Sequence, residues 1–200
     1  MNALYHHASK LVAIGASAGG PHAIETVLGE LGADMPPILI TQHMPEVFTR
    51  AFARRLDEIM ALTVVEADAT EKLKSGTVYI APGDRHLIVR RQGLELFATT
   101  DAGPPVNRHR PSVDVLFESV VSAAPASAMG IILTGMGNDG ARGLAAMRHA
   151  GFLTIAQDEA TSVVWGMPRE AVKLEAVDGS HILPLSKIGP AIKNFVKLPI

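Results

Sequence analysis

Leu11-Val12-Ala13-Ile14-Gly15-Ala16-Ser17-Ala18-Gly19-Gly20-Pro21 is the stretch that decides the fold. A short apolar run ends at Gly15, which predicts a strand over Leu11–Ile14. Pro21 then opens a segment with Ile24, Val27, Leu28 and Leu31 at helical spacing, and proline suits a first helical turn. Strand, glycine-rich turn and helix follow one another without a gap.

The same order recurs outward from this unit. Pro37–Thr41 predicts a second strand, and Val47–Met60 a helix with Phe48, Phe52, Leu56 and Ile59 on one face. The middle of the chain differs. Thr77–Ile80, His86–Arg90 and Leu94–Phe97 read as strands with no helix between them, and Arg91-Gln92-Gly93 as a hairpin turn. A polar, proline-containing loop, Thr99–Pro111, leads to a helix over Val113–Ala123, with Ser112 as its candidate N-cap. Strands at Ala128–Leu133, Leu153–Ala156 and Ile182–Leu183 then alternate with helices at Ala141–Ala150 (closed by Gly151), Met167–Ala176 and near Pro190–Val196. The predicted fold class is α/β: a doubly wound, mostly parallel sheet with helices on both faces and a small antiparallel hairpin in the middle of the chain. No repeat or interdomain linker interrupts it. Residues 10–197 are expected to form a single domain behind a tail of residues 1–9.

Composition removes several classes of function. With 200 residues, 48% of them hydrophobic and 19% charged, the chain can bury a core without disulfides or metal. It has no cysteine, which rules out a thiol nucleophile and any Cys-ligated zinc or iron–sulfur site. That also suits a reducing compartment, and Met1–Lys10 does not read as a signal peptide, so a cytoplasmic location is expected. No uninterrupted apolar run is long enough to span a membrane. A net charge of -2 leaves no footprint for nucleic acid. His43, His86 and His109 lack the helical spacing of a metal site.

In an open parallel sheet, ligands bind beyond the carboxyl ends of the strands. Three chemically loaded segments fall there: Gly15-Ala16-Ser17-Ala18-Gly19-Gly20, Gln42-His43-Met44-Pro45 and Thr134-Gly135-Met136-Gly137-Asn138-Asp139-Gly140. The first matches G-x-S-x-G, which lifts a serine out of a tight strand-to-helix turn. Alone it is equally well explained as a glycine-rich helix start with a capping serine. His43 has the near-neutral pKa type that a general base needs, but alone reads as a surface-loop histidine. Asp139 alone reads as the N-cap of the Ala141 helix. Together they supply a nucleophile, a base and an acid at one sheet edge, provided their strands are neighbours. Arg108, His109 and Arg110 form a second cluster suited to receiving a carboxylate or an acidic protein surface. Trp165, Met136, Met147 and Met167 read as packing residues, and Met44 and Met136, which sit within the loaded segments, are also expected to line the site.

Taken with the order of its blocks, the chain resembles the catalytic domain of the chemotaxis protein-glutamate methylesterases. The matching stretches are Ala13–Gly20 with Pro21, Thr41–Pro45, Phe48–Phe52, Thr77–Asp84, Pro104–Phe117, Gly130–Gly140, Thr154–Glu159 and Gly166–Ala171. The resemblance implies hydrolysis of glutamate γ-methyl esters on chemoreceptors, with methanol released, and deamidation of receptor glutamines by some members. It places the nucleophile on Ser17, the base on His43 and the aspartate on Asp139. Backbone near Ala18 and Gly19, and the Met136 loop, would hold the oxyanion. No metal or organic cofactor is implied. The implied partner is the cytoplasmic helical region of a methyl-accepting receptor, met without membrane insertion, and a monomer is expected. Ala18 departs from the Thr or Ser that the family often has there. That change is mild if the backbone N–H does the work, and lowers activity if a hydroxyl there also contributes. The family commonly carries an N-terminal phosphorylatable receiver. Only nine residues precede Lys10 here, so no receiver and no phosphorylation control in cis are expected of this polypeptide.

Three other readings are separable. Gly15–Gly20 loosely mimics a dinucleotide-binding turn, but Ser17 stands at its middle glycine and Thr41-Gln42 stands where a ribose-binding acid belongs. An ordinary α/β-hydrolase has the triad order Ser…Asp/Glu…His, whereas the order here is Ser17…His43…Asp139. A non-catalytic receptor-binding protein on a hydrolase fold would bind receptor without turnover.

Overall fold

The computed structural model describes residues 10–123 and 125–199, so the tail expected at residues 1–9 lies outside the described residues. The strands are β1 Lys10–Ala16, β2 Ile38–Gln42, β3 Thr63–Glu66, β4 Thr70–Lys72, β5 Thr77–Ile80, β6 His86–Gln92, β7 Glu95–Asp101, β8 Ser127–Ile132, β9 Leu153–Gln157 and β10 Ile182–Leu183. The α-helices are α1 Gly20–Gly29, α2 Glu46–Ile59, α3 Val113–Ala123, α4 Ala141–His149, α5 Met167–Lys173 and α6 Leu185–Lys197. Seven strands form a sheet in the order β10-β9-β8-β1-β2-β5-β3, with every pairing parallel. The predicted class is therefore correct. From β1 the chain passes through β2 to the edge strand β3 and then returns to β5, which lies between them. It then crosses back to β8, on the other side of β1. The switch in winding direction lies between β1 and β8, where a crevice opens at the strand ends.

β1 is buried along its whole length, as a central parallel strand must be. Its side chains alternate between two cores. Leu11 and Ala13 join Val113, Leu116 and Phe117 of α3 with Leu144 and Met147 of α4 and Met167 and Ala171 of α5. Val12 and Ile14 join Ile24, Val27 and Leu28 of α1 with Leu56 of α2 and Ile188, Ile192 and Phe195 of α6. Helices thus cover both faces. Met147 and Met167 are fully buried packing residues, as expected.

β3 and β4 are strands that the sequence reading did not name, and other details differ from it as well. The small antiparallel element is a three-stranded sheet, β4-β7-β6, not a bare hairpin. Its turn is Gly93-Leu94, since Arg91 and Gln92 are already paired with Leu96 and Glu95; Gly93 supplies the positive φ (63°) a two-residue turn needs. α6 begins at Leu185 and carries Pro190 inside it. α5 ends at Lys173, short of the expected Ala176.

Lys10 ties the two ends of the domain together. The residue is 1% exposed. It donates to the carbonyls of Phe195 (3.0 Å), Val196 (2.8 Å) and Leu198 at the exit of α6. A cation there satisfies carbonyls that the helix leaves open and meets the negative end of its dipole. Lys10→Met keeps the buried stem and removes the donors. We expect a loss of about 2 kcal/mol, read as a lower urea midpoint at unchanged slope. An unshifted midpoint would assign those carbonyls to water instead.

Candidate active site

The sheet register brings the three loaded segments together. β1 lies between β8 and β2, so all three segments leave neighbouring strands. Ala16 is paired with Gln42, and the His43 N–H donates to the Ala16 carbonyl at 3.0 Å. Ser17 and His43 are therefore side by side, each one residue beyond a paired position. On the other side Gly15 is paired with Ile132, and the Ser17 N–H donates to the Thr134 carbonyl at 3.0 Å. The Ser17 carbonyl accepts from Gln42 Nε2 (3.0 Å), which also reaches the His43 carbonyl (3.0 Å). Gln42 thus pins the serine turn to the histidine turn.

The Ser17 hydroxyl has no structural duty. The N-cap of α1 is Gly19 (φ 79°), and no side chain caps that helix. Among the described residues the hydroxyl makes no hydrogen bond, and Ser17 is half-buried. The capping-serine alternative is therefore excluded. A side chain at Gly19 would also meet Val163, with a Cβ only 2.7 Å from it.

Asp139 does not cap its own helix either. Gly140, at φ 91°, is the N-cap of α4, again without a side-chain bond. The Asp139 carboxylate instead sits at the start of α3. It accepts from Val113 N (2.7 Å) and Asp114 N (3.3 Å), Ser112 Oγ (2.7 Å), Asn107 Nδ2 (2.7 Å) and His43 Nε2 (2.8 Å). The free N–H groups and dipole of a helix start favour an anion there. Burial acts to raise the Asp139 carboxyl. The hydrogen bonds from His43, Asn107, Ser112 and Val113 outweigh it and hold the group down at about 2, against an ordinary 3.8. The arrangement is reciprocal: Asp114, in the first turn of α3, accepts from Gly143 N (2.7 Å) in the first turn of α4. Ser112 also fulfils its expected role at α3, with a long contact of 3.5 Å from Val115 N to its hydroxyl.

An ionised carboxylate only accepts, so His43 must carry its proton on Nε2, facing Asp139. In neutral imidazole the other nitrogen is then the base. That nitrogen, Nδ1, is buried and has no hydrogen-bond partner. The side chain of His43 is 8% exposed and that of Asp139 1%. The pair is thus largely dry, with one basic nitrogen held open.

Two backbone donors in the site-bearing loops are unengaged. Among the described residues the N–H groups of Ala18, at the entry to α1, and Met136, in the loop after β8, make no hydrogen bond. Thr134 Oγ1 donates to the Ala18 carbonyl (2.9 Å) and accepts from Val164 N (3.0 Å), which locks these loops to each other. Met136 is 73% exposed, whereas Met44 is half-buried. A groove of about 520 Å³ runs beside the Asp139 loop, lined by Met136, Gly137, Asn138, Trp165, Glu159 and Arg169. A larger cavity of about 960 Å³, between α2 and β3, contains none of the three candidate residues.

The second cluster divides. Arg110 is engaged with Asp84 (Nε to Oδ1 2.9 Å) and with the carbonyls of Gly103 (3.0 Å) and Ala102 (3.2 Å). Arg108 is exposed at a turn tip and makes no ion pair among the described residues. His109 lies against His43. Asn107 joins the site through Asp139 and Asp114, both at 2.7 Å. Sequence reasoning gave no role to Asn107, Asp114, Gln42 or Thr134. The available signals were an Asn opening a turn and an Asp in a first helical turn, and neither says which distant group it serves. Among the described residues no group of three or more His, Asp or Glu side chains is placed to hold a metal ion.

Comparisons with known proteins establish the family. The family profile described as CheB methylesterase matches residues 12–192. A relative from Hahella chejuensis, named protein-glutamate methylesterase/protein-glutamine glutaminase 1, is 54% identical over 93% of this chain and 51% of its own length. One of that activity name from Bordetella parapertussis is 55% identical over 92% of this chain and 52% of its own. The chain therefore spans about half the length of the curated relatives it matches. The crystal structure of the Thermotoga maritima CheB methylesterase catalytic domain superposes with a TM-score of 0.89 at 37% identity, covering 93% of this chain and 98% of that one. With the fold and the sequence agreeing along nearly its whole length, the chain belongs to the CheB methylesterase family.

Proposed function

We propose that this chain is a serine hydrolase that removes methyl groups from glutamate γ-methyl esters of chemoreceptors and also deamidates receptor glutamines. Ser17, His43 and Asp139 are its catalytic residues. The observation that carries the reading is the His43–Asp139 pair, which leaves a buried, unpartnered Nδ1 one strand away from a serine with a free hydroxyl.

His43 Nδ1 takes the Ser17 proton as Oγ attacks the ester carbonyl carbon. The oxyanion is held by the N–H groups of Ala18 and Met136; losing one such donor typically costs about 10²–10³ in turnover. The imidazolium stays bonded to Asp139 through Nε2–H and returns its Nδ1 proton to the departing methoxide, so methanol leaves. Water then attacks the acyl-enzyme, giving a proton to Nδ1; the Oγ–acyl bond breaks, Nδ1 returns that proton to Ser17 Oγ, and a free glutamate side chain is released. With backbone N–H groups as the donors, Ala18 needs no hydroxyl. No step calls on a metal or organic cofactor.

The partner is the cytoplasmic helical region of a methyl-accepting receptor, approached by a monomer in the cytoplasm. Among the described residues no helix is long and apolar enough to cross a membrane. Met136 and the Trp165 groove offer the receptor an apolar contact, and Arg108 offers a cation to an acidic surface.

The test is methanol release from a methylated receptor fragment, together with a serine-directed fluorophosphonate. Release, and a mass increase confined to the peptide containing Ser17, are expected. Cleavage of small acyl esters without release from receptor would replace this reading with a general esterase. Receptor binding with neither labelling nor turnover would make the chain a non-catalytic binder.

A further inference from the structure

The His43–Asp139 bond fixes one edge of the His43 ring but not its plane. Nδ1 has no partner, and rotation about the terminal torsion of a histidine is broad. Something else must hold the ring. The imidazole of His109 lies face to face with it, with centroids 3.8 Å apart and 8° between the planes.

His109 closes a two-residue turn. Val106 and His109 exchange both backbone hydrogen bonds (3.0 and 2.8 Å), and both residues between them have positive φ, Asn107 at 51° and Arg108 at 66°. This is the pattern of a type I′ hairpin turn, in which Asn is at home and Arg is not. The conformation has a local use. It sends Asn107 Nδ2 to Asp139 Oδ1 and Asp114 Oδ2, both at 2.7 Å, while the next-but-one residue reaches the face of His43. Arg142 Nη2 in turn reaches Asn107 Oδ1 at 3.4 Å. One four-residue turn therefore touches both members of the His–Asp pair.

We propose that the Val106–His109 turn is a positioning clamp for that pair: Asn107 orients the Asp139 carboxylate, and His109 sets the plane of the His43 ring by stacking on it. The inference rests on the catalytic reading above and assigns His109 a positioning role, not a proton-transfer or substrate-binding one. His109 is suited to it. Burial, and next the neighbouring His43, hold its imidazole below the ordinary histidine value, with Asp139 acting in the opposite direction. A neutral partner leaves His43 free to become an imidazolium without a second cation against its face.

The experiment compares His109→Ala with His109→Phe, which keeps a flat ring but has no nitrogen. Methanol-release kinetics are read alongside the ¹⁵N shifts of His43. In the wild type, His43 should show a protonated Nε2 and a bare Nδ1. His109→Ala should lower kcat about 10- to 100-fold with KM within a factor of two, since small displacements of a reacting group cost that much. Its His43 nitrogens should move toward the tautomer average. His109→Phe should recover most of the kcat and the wild-type ¹⁵N pattern. Unchanged kcat and ¹⁵N shifts in His109→Ala would overturn the clamp. So would a His109→Phe protein as slow as His109→Ala with its His43 tautomer intact, because the nitrogen and not the stack would then matter. If His109→Ala fails to fold, the His109→Phe result decides between these outcomes. The ¹⁵N arm needs no substrate, so the clamp can fail or stand even if no receptor is demethylated.

Discussion

Ser17→Ala should lower methanol release by about 10⁴- to 10⁶-fold and leave the fold in place, as loss of a nucleophile does in other triad hydrolases. The two halves of that expectation rest on different atoms. The structural work at position 17 is done by its backbone: the N–H bonds to the Thr134 carbonyl, and the carbonyl accepts from Gln42 Nε2 and Gly20 N. Alanine keeps all three. The hydroxyl bonds to nothing and does not cap α1, so its removal strands no partner. A change of this kind should stay within about 0.5 kcal/mol, roughly a 1–2 °C shift in melting temperature at most. Activity falls because no other described hydroxyl stands one residue beyond the β1–β2 pairing, beside His43. The oxyanion donors remain and should leave a residue of turnover above the uncatalysed rate. Methanol release and a circular-dichroism melt, made on the same preparations, check both halves. Equal release by the two proteins would remove Ser17 from the chemistry. A variant that loses activity by melting early would show instead that the hydroxyl is structural.

What the sequence displayed, and what it hid, follows from how far apart the interacting groups are. The β1–turn–α1 unit was legible because its signals are contiguous: a strand fully buried in the middle of a parallel sheet must read as an unbroken apolar run, and Gly19 and Pro21 mark the turn and the helix start. β3 and β4 were not legible. They are edge strands; β3 buries fully only Val64, and β4 is Thr70-Glu71-Lys72 with no apolar side chain at all. Leu94 misled in the opposite sense. It is apolar and was taken to begin a strand, yet it is 95% exposed at the tip of the hairpin. The last helix reads from the sequence as lying near Pro190–Val196, but α6 starts at Leu185 and carries Pro190 inside it. The site divides along the same line. Ser17, His43 and Asp139 could be proposed from their places just after three apolar runs. Whether Asp139 capped its own helix or served His43 was open in the sequence, because the answer lies in α3, about 26 residues upstream. The sequence marks a helix start but not which distant carboxylate will occupy it, and the reciprocal seating of Asp114 on Gly143 was hidden for the same reason.

That seating makes Asp139→Asn the more instructive substitution. Each carboxylate oxygen accepts from two or more donors: Oδ2 from His43 and Val113, Oδ1 from Asn107, Ser112 and Asp114. An amide offers one oxygen and one NH₂, so whichever way it turns, a donor faces donors. The conflict, in a group 1% exposed, should cost about 1–3 kcal/mol. The chemistry should suffer more. If the NH₂ faces His43, Nε2 must become the acceptor and the ring proton moves to Nδ1, the nitrogen that has to take the proton of Ser17. The wrong tautomer in a triad costs roughly 10⁴ in kcat, and we expect a loss of that size here. The pH dependence identifies the ionised carboxylate as the cause. Asp139 is held at about 2 when folded against an ordinary 3.8, so its contribution to stability is complete above 3.8 and is lost as the pH falls from there toward 2. The linked free energy is about 2 kcal/mol, a quantity the asparagine variant cannot lose. Urea unfolding from pH 7 down to pH 3 should therefore show a constant gap between the two proteins until about pH 4, and a narrowing gap below it. A gap that keeps its width down to pH 3, with kcat still lowered, would mean that the proton on His43 is fixed by some group other than an ionised Asp139.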